Sequence, residues 1–196
     1  MLGFITCILL VFVCFRWFDL PVAQLFRGNP ARVQGYGLPS AVLLAGELCV
    51  ITLLAFVRIL RGQLPEYAKV MLIALLTSIT AFTANDYVLK LIFGVPSPSE
   101  VLFDSARHGV HFLAGGPASS FPSGHMALAG GFAGPWIRLQ PATTGALAVL
   151  LGIGMAMLVM GDWHFLSDVV AGTFVGVTAG LLAGSLWLAH NSARKG

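Results

Sequence analysis

Two short segments each place a histidine beside an apolar helix, and together they hold the groups needed to cleave a phosphoester. The first is Phe-Pro-Ser-Gly-His at residues 121–125, and the second runs from Gly161 to Asp168 with His164 inside it. One imidazole can attack phosphorus while another protonates the leaving oxygen. If His125 and His164 meet, the chain can form and hydrolyse a phosphohistidine.

The first segment has the composition of an anion-binding helix start. Proline is tolerated in the first turn of a helix, where the amides have no intrahelical partners. Such N–H groups and the helix dipole bind phosphate. Ser123 adds a hydroxyl donor and Gly124 allows the backbone to come close, so both are candidate phosphate-binding residues. The alternative is an ordinary helix start with His125 at the membrane interface.

The second segment pairs its histidine with an acid one helical turn away. His164 and Asp168 are four residues apart, which puts them on one face of a helix. A carboxylate bonded to one ring nitrogen fixes the tautomer and leaves the other nitrogen available for attack. His125, His164 and Asp168 are therefore the candidate catalytic residues. An interfacial ion pair at a helix start is the alternative for the last two.

A lysine that precedes both segments can supply positive charge. Lys90 follows Asp86 by four residues, in the order that favours an ion pair on a helix. An ammonium held in this way can bind a phosphate dianion. A lysine at a helix end can also simply extend to the membrane surface.

The composition is that of a membrane protein. Of the 196 residues, 57% are hydrophobic and 10% are charged, and the mean hydropathy is +0.87. Soluble domains have about 25% charged residues, so lipid is the solvent for most of this chain. The net charge of +3 is too small to indicate nucleic-acid binding. The sequence has no glycine loop typical of a nucleotide site and no metal-ligand cluster, so neither a cofactor nor a metal is expected.

Six apolar stretches qualify in helical form as crossings of the hydrocarbon layer, which takes about 20 residues. The fourth is short and contains Pro135, which predicts a tilted or kinked helix. We predict an all-α integral membrane bundle of six transmembrane helices that forms a single domain over residues 1–196. Counting crossings puts Lys90, His125 and His164 on the same membrane face. The predicted helices are Leu2–Phe18, Leu38–Val57, Ala68–Phe93, Pro122–Ile137, Ala142–Met160 and Phe165–Ala189.

The basic residues indicate which side this face is on. Cytoplasmic loops carry an excess of Lys and Arg, and an even number of crossings puts both termini on one side. With the termini inside, the candidate active site faces the periplasm or the cell exterior. The cytoplasmic set is then Arg58, Arg61, Lys69, Arg138, Arg194 and Lys195, and the outer set is Arg16, Arg27, Arg32, Lys90 and Arg107.

Two further features concern helix packing. Gly172, Gly176, Gly180 and Gly184 recur every four residues in the last helix, which predicts close contact with a neighbouring helix. Glu47 lies in the middle of the second predicted helix, and no partner for it is obvious from the sequence. An intramembrane acid is by default a functional hypothesis, and a packing role is the alternative.

Lys90, the Pro-Ser-Gly-His segment and the histidine–aspartate pair resemble, in order and spacing, the three signature motifs of the type 2 phosphatidic acid phosphatase family. The resemblance implies that His164 is the nucleophile that becomes phosphorylated and that Asp168 orients it. It implies that His125 is the general acid that protonates the leaving group.

The same resemblance implies the substrate class and the phosphate ligands. Lys90, Ser123 and the amide of Gly124 would hold the phosphate oxygens, and no metal would take part. The substrates would be phosphate or pyrophosphate groups on lipids that lie in the bilayer, such as a phospholipid, an isoprenoid or lipid A.

The sequence departs from the family at positions that usually carry arginine. The first motif expects Arg-Pro where this chain has Ser97-Pro98, and an additional arginine position holds Val95. The third motif usually opens with Ser-Arg, and those positions are Met157 and Leu158. Losing one such donor costs about 3 kcal/mol of transition-state stabilisation.

The loop before the first histidine segment offers substitutes for these arginines. It runs from about Gly94 to Phe121 and contains Arg107, His108 and His111. Long loops in compact domains tend to be functional. We therefore predict that Arg107 is a phosphate-binding residue that partly replaces the missing guanidinium groups.

These observations favour a multi-pass lipid phosphatase of the bacterial inner membrane that acts through a phosphohistidine. Two alternatives remain open. The missing arginines favour a catalytically degenerate protein that binds a lipid phosphate or acts as a scaffold. A lipid phosphotransferase would use the same residues to pass the phosphoryl group to a second lipid.

Overall fold

The computed structural model describes residues 2–27, 40–103 and 108–194, and within these ranges every regular element is a helix. Two π-helical turns, at Cys14–Phe18 and Asn85–Leu89, each join two α-helices into one longer helical stretch. The α-helices are α1 (Leu2–Val13), α2 (Asp19–Leu25), α3 (Ser40–Arg61), α4 (Glu66–Ala84), α5 (Lys90–Phe93), α6 (Pro98–Phe103), α7 (Gly124–Leu139), α8 (Thr144–Met160) and α9 (Leu166–Ala193).

Five helical stretches in the described part of the chain are long and apolar enough to cross a membrane. The fourth predicted crossing differs, because α7 has 16 residues and a crossing takes about 20. Helix length therefore does not confirm the predicted count of six crossings. The five stretches are Leu2–Leu25, Ser40–Arg61, Glu66–Leu102, Pro141–Met160 and Leu166–Ala193.

The first helical stretch is longer than predicted. The sequence predicted an end at about Phe18. Instead, the helix continues through the π-helical turn and α2 to Leu25. Asp19 is tolerated inside this stretch because it is only 1% exposed and accepts hydrogen bonds from Ser167 of α9.

The centre of the bundle is the contact of α7 with α9 on one side and α4 on the other. The glycines at positions 172, 176, 180 and 184 are all buried along α9, which confirms the predicted packing face. A Cβ atom at Gly180 would lie 2.6 Å from both Gly134 Cα and Pro135 Cδ. The helices thus approach backbone to backbone, and α7 continues through Pro135 without interruption.

Helix α3 is attached to this centre by a polar contact. None of its residues is buried, but Glu47 Oε1 lies 2.7 Å from the hydroxyl of Ser78 on α4. The same hydroxyl lies 2.8 Å from the carbonyl oxygen of Leu128 on α7. Glu47 therefore has a partner that the sequence did not reveal, and its contacts support the packing role.

The loop between α5 and α7, predicted to be irregular, contains the short α6, and its later part is bound to the end of α5. The amides of His111, Leu113 and Gly115 donate to the carbonyls of Phe93, Ile92 and Leu91 at 3.0, 2.9 and 3.2 Å. These carbonyls are at a helix C-terminus and have no intrahelical partners. The loop is held in place in this way directly before the first histidine segment.

Candidate active site

The π-helical turn after α4 brings an acid and a base together. Lys90 Nζ lies 2.9 Å from Asp86 Oδ1, and both side chains are almost completely buried. Lys90 also donates to the carbonyl of Pro117, in the loop between α5 and α7, at 3.2 Å. Single π-helical turns often occur at functional sites. The predicted pairing of Lys90 with Asp86 is confirmed.

The start of α7 is fixed on two sides. Asn85 Nδ2 donates to the carbonyl of Pro122 at 2.9 Å, and the amide of Ser123 donates to the carbonyl of Asp168 at 3.0 Å. A Cβ atom at Gly124 would lie 2.6 Å from Asp86 Oδ1, so only glycine fits beside the carboxylate. The helix start is thus held between the lysine pair and the first turn of α9.

The turn before α9 carries the second histidine and its acid. His164 Nδ1 lies 3.4 Å from Asp168 Oδ2, and Asp168 is completely buried. The same carboxylate oxygen accepts the amide of Phe165 at 2.8 Å and the hydroxyl of Ser120. Ser120 Oγ also lies 3.2 Å from His164 Nδ1.

These contacts determine the tautomer of His164. A serine hydroxyl has one hydrogen, and the hydroxyl of Ser120 donates it to Asp168. The contact between Ser120 Oγ and His164 Nδ1 therefore requires a hydrogen on Nδ1. Nδ1 must carry this hydrogen also to bond Asp168. In the neutral ring, Nε2 then carries no hydrogen and keeps its lone pair.

The two histidines meet at one cavity. The ring centroids of His125 and His164 are 6.1 Å apart, with their planes at 68°. A cavity of about 330 Å³ is lined by both rings together with Asp86, Lys90 and Gly124. Four of the candidate catalytic and phosphate-binding residues thus face one space together with Asp86, and Asp168 lies directly behind His164. The other lining residues are Ser40, Phe82, Ser97, Pro117, Ala118, Ser119, Ser120 and Trp163.

The remaining two predicted phosphate-binding residues are Ser123 and Arg107. Ser123 is completely buried, does not line the cavity, and uses its hydroxyl to accept the amide of Met126 as the N-cap of α7. Arg107 lies outside the described residues. The other substitutes proposed for the missing arginines, His108 and His111, are not among the residues that line the cavity.

His108 packs against aromatic rings. Its imidazole stacks on Phe15 with ring centroids 4.6 Å apart, and it meets the edge of Phe165 at 5.3 Å. Burial lowers the pKa of His108 below its ordinary value, while the negative charge of Asp168 acts in the opposite direction. His108 therefore supports the turn that carries His164 as a mainly apolar ring.

This placement predicts a pH-dependent stability. A histidine with a lowered pKa in the folded chain binds its proton more readily when unfolded, so stability falls as the pH drops below about 6.5. His108→Phe keeps a ring between Phe15 and Phe165 but removes the titrating group. We expect the melting temperature of this variant in detergent to change less between pH 7.5 and pH 5.5 than that of the unmodified chain. His190→Phe, at an exposed position near the end of α9, is the control and should change like the unmodified chain. Equal pH dependence in all three proteins would contradict the prediction.

The positions where the resemblance expects arginine have been taken over by other contacts. Val95 is 1% exposed and packs with Phe121 and Ala171. Leu158 packs against the apolar cluster around Met126. Ser97 alone of these positions lines the cavity, where it offers a hydroxyl in place of a guanidinium group.

Sequence reasoning missed Ser120, which lines the cavity. Ser120 is 3% exposed and contacts both His164 and Asp168, as described above. Its only signal in the sequence is its position, two residues before Pro122. Within the described ranges, no group of three or more His, Cys, Asp or Glu side chains is arranged to hold a metal ion.

Comparison with known proteins agrees with the geometry of the site. A family model described as the PAP2 superfamily matches residues 68–191, a range that includes the lysine pair and both histidine segments. No curated protein and no solved structure matches the chain. The family supports phosphatase-type activity on phosphate substrates. Since the match covers more than half of its residues, this chain belongs to the PAP2 superfamily.

Proposed function

We propose that this protein is an integral membrane phosphatase that removes a phosphate or pyrophosphate group from a lipid through a phosphohistidine on His164. The observation that carries the proposal is the meeting of His125 and His164 at one cavity, with ring centroids 6.1 Å apart. One ring has its tautomer fixed by Asp168 and Ser120. The other projects from a helix start that is suited to bind an anion.

The reaction would proceed in two displacements. In the first, Nε2 of His164 attacks phosphorus, the N–P bond forms and the P–O bond to the lipid breaks, while His125 gives its proton to the leaving oxygen. In the second, His125 takes a proton from water, the water oxygen attacks phosphorus and the N–P bond breaks. Throughout, Asp168 holds the Nδ1 hydrogen of His164.

The phosphate would be held by Lys90 and the start of α7. An ammonium has three hydrogens, and Lys90 uses two of them for Asp86 and Pro117. The third is available to a phosphate oxygen in the cavity. The amide of Gly124, the first residue of α7, belongs to the helix-start donors that have no intrahelical partner. Arg107 would add a guanidinium group from the loop.

The proposed substrate is a lipid because the catalytic groups are carried on helices that suit a bilayer. Because five helical stretches are long and apolar enough to cross a membrane, lipid hydrocarbon would surround most of the chain. A phospholipid, isoprenoid or lipid A phosphate would reach the cavity from the membrane. With α7 as a short sixth crossing, both termini would be cytoplasmic, and the distribution of Lys and Arg then favours a periplasmic or exterior site in a bacterial inner membrane.

One observation favours a second candidate, a protein that binds a lipid phosphate without hydrolysing it. Ser97 lines the cavity where the resemblance expects arginine, and Leu158 packs in an apolar cluster. Each missing guanidinium group removes about 3 kcal/mol of transition-state stabilisation. A lipid phosphotransferase is the third candidate, since the same phosphohistidine can be attacked by an alcohol.

Phosphate release by the purified protein in detergent micelles distinguishes these candidates. The substrates are phosphatidic acid, phosphatidylglycerol phosphate, an isoprenyl pyrophosphate and lipid A. We expect release from at least one of them, loss of release in His125→Ala, and unchanged release in His190→Ala. Lipid binding without release would favour the binding protein. Release that appears only as phosphoryl transfer to an added alcohol would favour the phosphotransferase.

A further inference from the structure

The first turn of α9 lacks a cap of its own. The N-cap position is Phe165, whose side chain makes no capping hydrogen bond, whereas Ser, Thr, Asp and Asn are the residues that usually cap a helix. The carboxylate of Asp168 accepts a hydrogen bond from the amide of Phe165. The next helical amides still need acceptors, because the first four N–H groups of a helix have no intrahelical partners.

Asp19 of α2 supplies this acceptor from another helix. Its Oδ1 accepts the amide of Ser167 at 2.9 Å and its Oδ2 accepts the hydroxyl of Ser167 at 2.5 Å. Asp19 is 1% exposed, so the carboxylate is committed to this contact. A negative charge at a helix N-terminus is also favoured by the helix dipole. Ser167 directly precedes Asp168, the residue that orients the nucleophile.

Apolar contacts from the same helical stretch reinforce the cap. Phe165 is 1% exposed and packs against Ala23, one turn beyond Asp19. His108, which stacks on Phe15 of the π-helical turn, meets Phe165 from the other side. The stretch from Phe15 to Ala23 therefore contacts the catalytic turn at both Phe165 and Ser167.

We propose that Asp19 is a positioning residue of the active site, which holds the His164–Asp168 turn by capping α9 from the first helical stretch. The inference rests on the proposed function and extends it to a helix outside the region, 68–191, that the family model matches. Asp19 does not line the cavity. It acts through Ser167 and Asp168 on the direction of His164, while the proposed phosphate contacts of Lys90 and Gly124 come from other elements.

The test compares Asp19→Ala, Asp19→Asn and Ser167→Ala. Misplacing a reacting group by about 1 Å costs about 10²-fold in rate, so we expect Asp19→Ala to lower kcat about 10²-fold with little change in KM. Asp19→Asn keeps an oxygen that can accept the amide of Ser167 and should lose less. Ser167→Ala removes only the hydroxyl bond to Asp19 and keeps the amide bond, so it should lose less than Asp19→Ala. The two substitutions should be non-additive when combined, because both remove the bond between the Ser167 hydroxyl and Asp19.

Glu47→Gln is the matched control, since Glu47 is another intramembrane acid bonded to a serine hydroxyl but does not line the cavity. It should keep the unmodified kcat and KM. The kinetic constants are measured on variants whose folded state has first been checked by size-exclusion chromatography and by a thermal unfolding curve.

Hydrogen exchange separates the capping contact from catalysis. In Asp19→Ala we expect the amides of residues 165–169 to exchange at least about tenfold faster, and in Glu47→Gln to exchange as in the unmodified chain. Unchanged exchange in Asp19→Ala, or faster exchange with an unchanged kcat, would overturn the inference. Absence of phosphate release by the unmodified protein would refute the proposed function alone, and the exchange measurement would still decide whether Asp19 fixes this turn.

Discussion

His164→Ala is expected to abolish formation of the phosphoenzyme and to lower kcat by about 10⁴-fold or more. The substitution removes the atom that forms the N–P bond, and removal of a covalent nucleophile leaves only the catalysis due to binding. Asp168 and Ser120 keep their mutual hydrogen bond, so the fold around the turn should persist. The measurement is phosphate release together with acid-labile incorporation of ³²P from a labelled lipid.

A second substitution identifies the role of the other ring. His125→Ala should still form the phosphoenzyme from substrates whose leaving group needs no proton, because the proposed role of His125 is to protonate the leaving oxygen. His111→Ala is the matched control, since His111 is exposed and does not line the cavity.

Retention of normal phosphate release by His164→Ala would disprove the phosphohistidine mechanism.

The chemistry of the site could be predicted because each of its parts is local in sequence. His164 and Asp168 are one helical turn apart, and so are Asp86 and Lys90, so helix geometry alone brings each pair together. That the two pairs meet His125 followed from counting helices that end at one face. The structure brings Lys90, His125 and His164 to one cavity, and the membrane face on which this cavity lies stays a prediction.

What could not be predicted depends on contacts between distant elements. The amide of Ser167 donates to the carboxylate of Asp19, which is 148 residues away, and the hydroxyl of Ser120 donates to Asp168 across 48 residues. Neither contact produces a periodic pattern in the sequence. A single serine or aspartate in the sequence is typical of a loop or a helix end, whether or not its side chain is buried. The predicted first helix, Leu2–Phe18, ended one residue before Asp19.

Helix α7 leaves the predicted count of six crossings a prediction. It has 16 residues and is not among the five long apolar stretches, and it packs against α4 and α9. A helix surrounded by protein need not match the thickness of the bilayer. Glycines on α9 allow this close packing because they let the backbones of α7 and α9 touch. The sequence predicted that these glycines form a packing face but did not reveal that α7 is the helix packed against it.

Lys90→Met is expected to lower kcat/KM by about 10²–10³-fold. The ammonium is the proposed charge that stabilises the transferring phosphoryl group, and removal of one such donor has an effect of this size. The substitution also leaves Asp86 buried without its partner at 2.9 Å. An uncompensated carboxylate beside Gly124 would repel the phosphate that the helix start attracts.

The two contributions can be separated with the double variant Lys90→Met/Asp86→Asn. Removing the second charge should recover part of the loss, because the repulsion disappears while the donor stays absent. Lys69→Met is the matched control, since Lys69 pairs with Glu66 in an exposed ion pair on α4 away from the cavity, and such pairs contribute little. If Lys90→Met kept kcat/KM within about threefold of the control, Lys90 would be a structural partner of Asp86 and the phosphate would depend on the backbone of α7 and the loop.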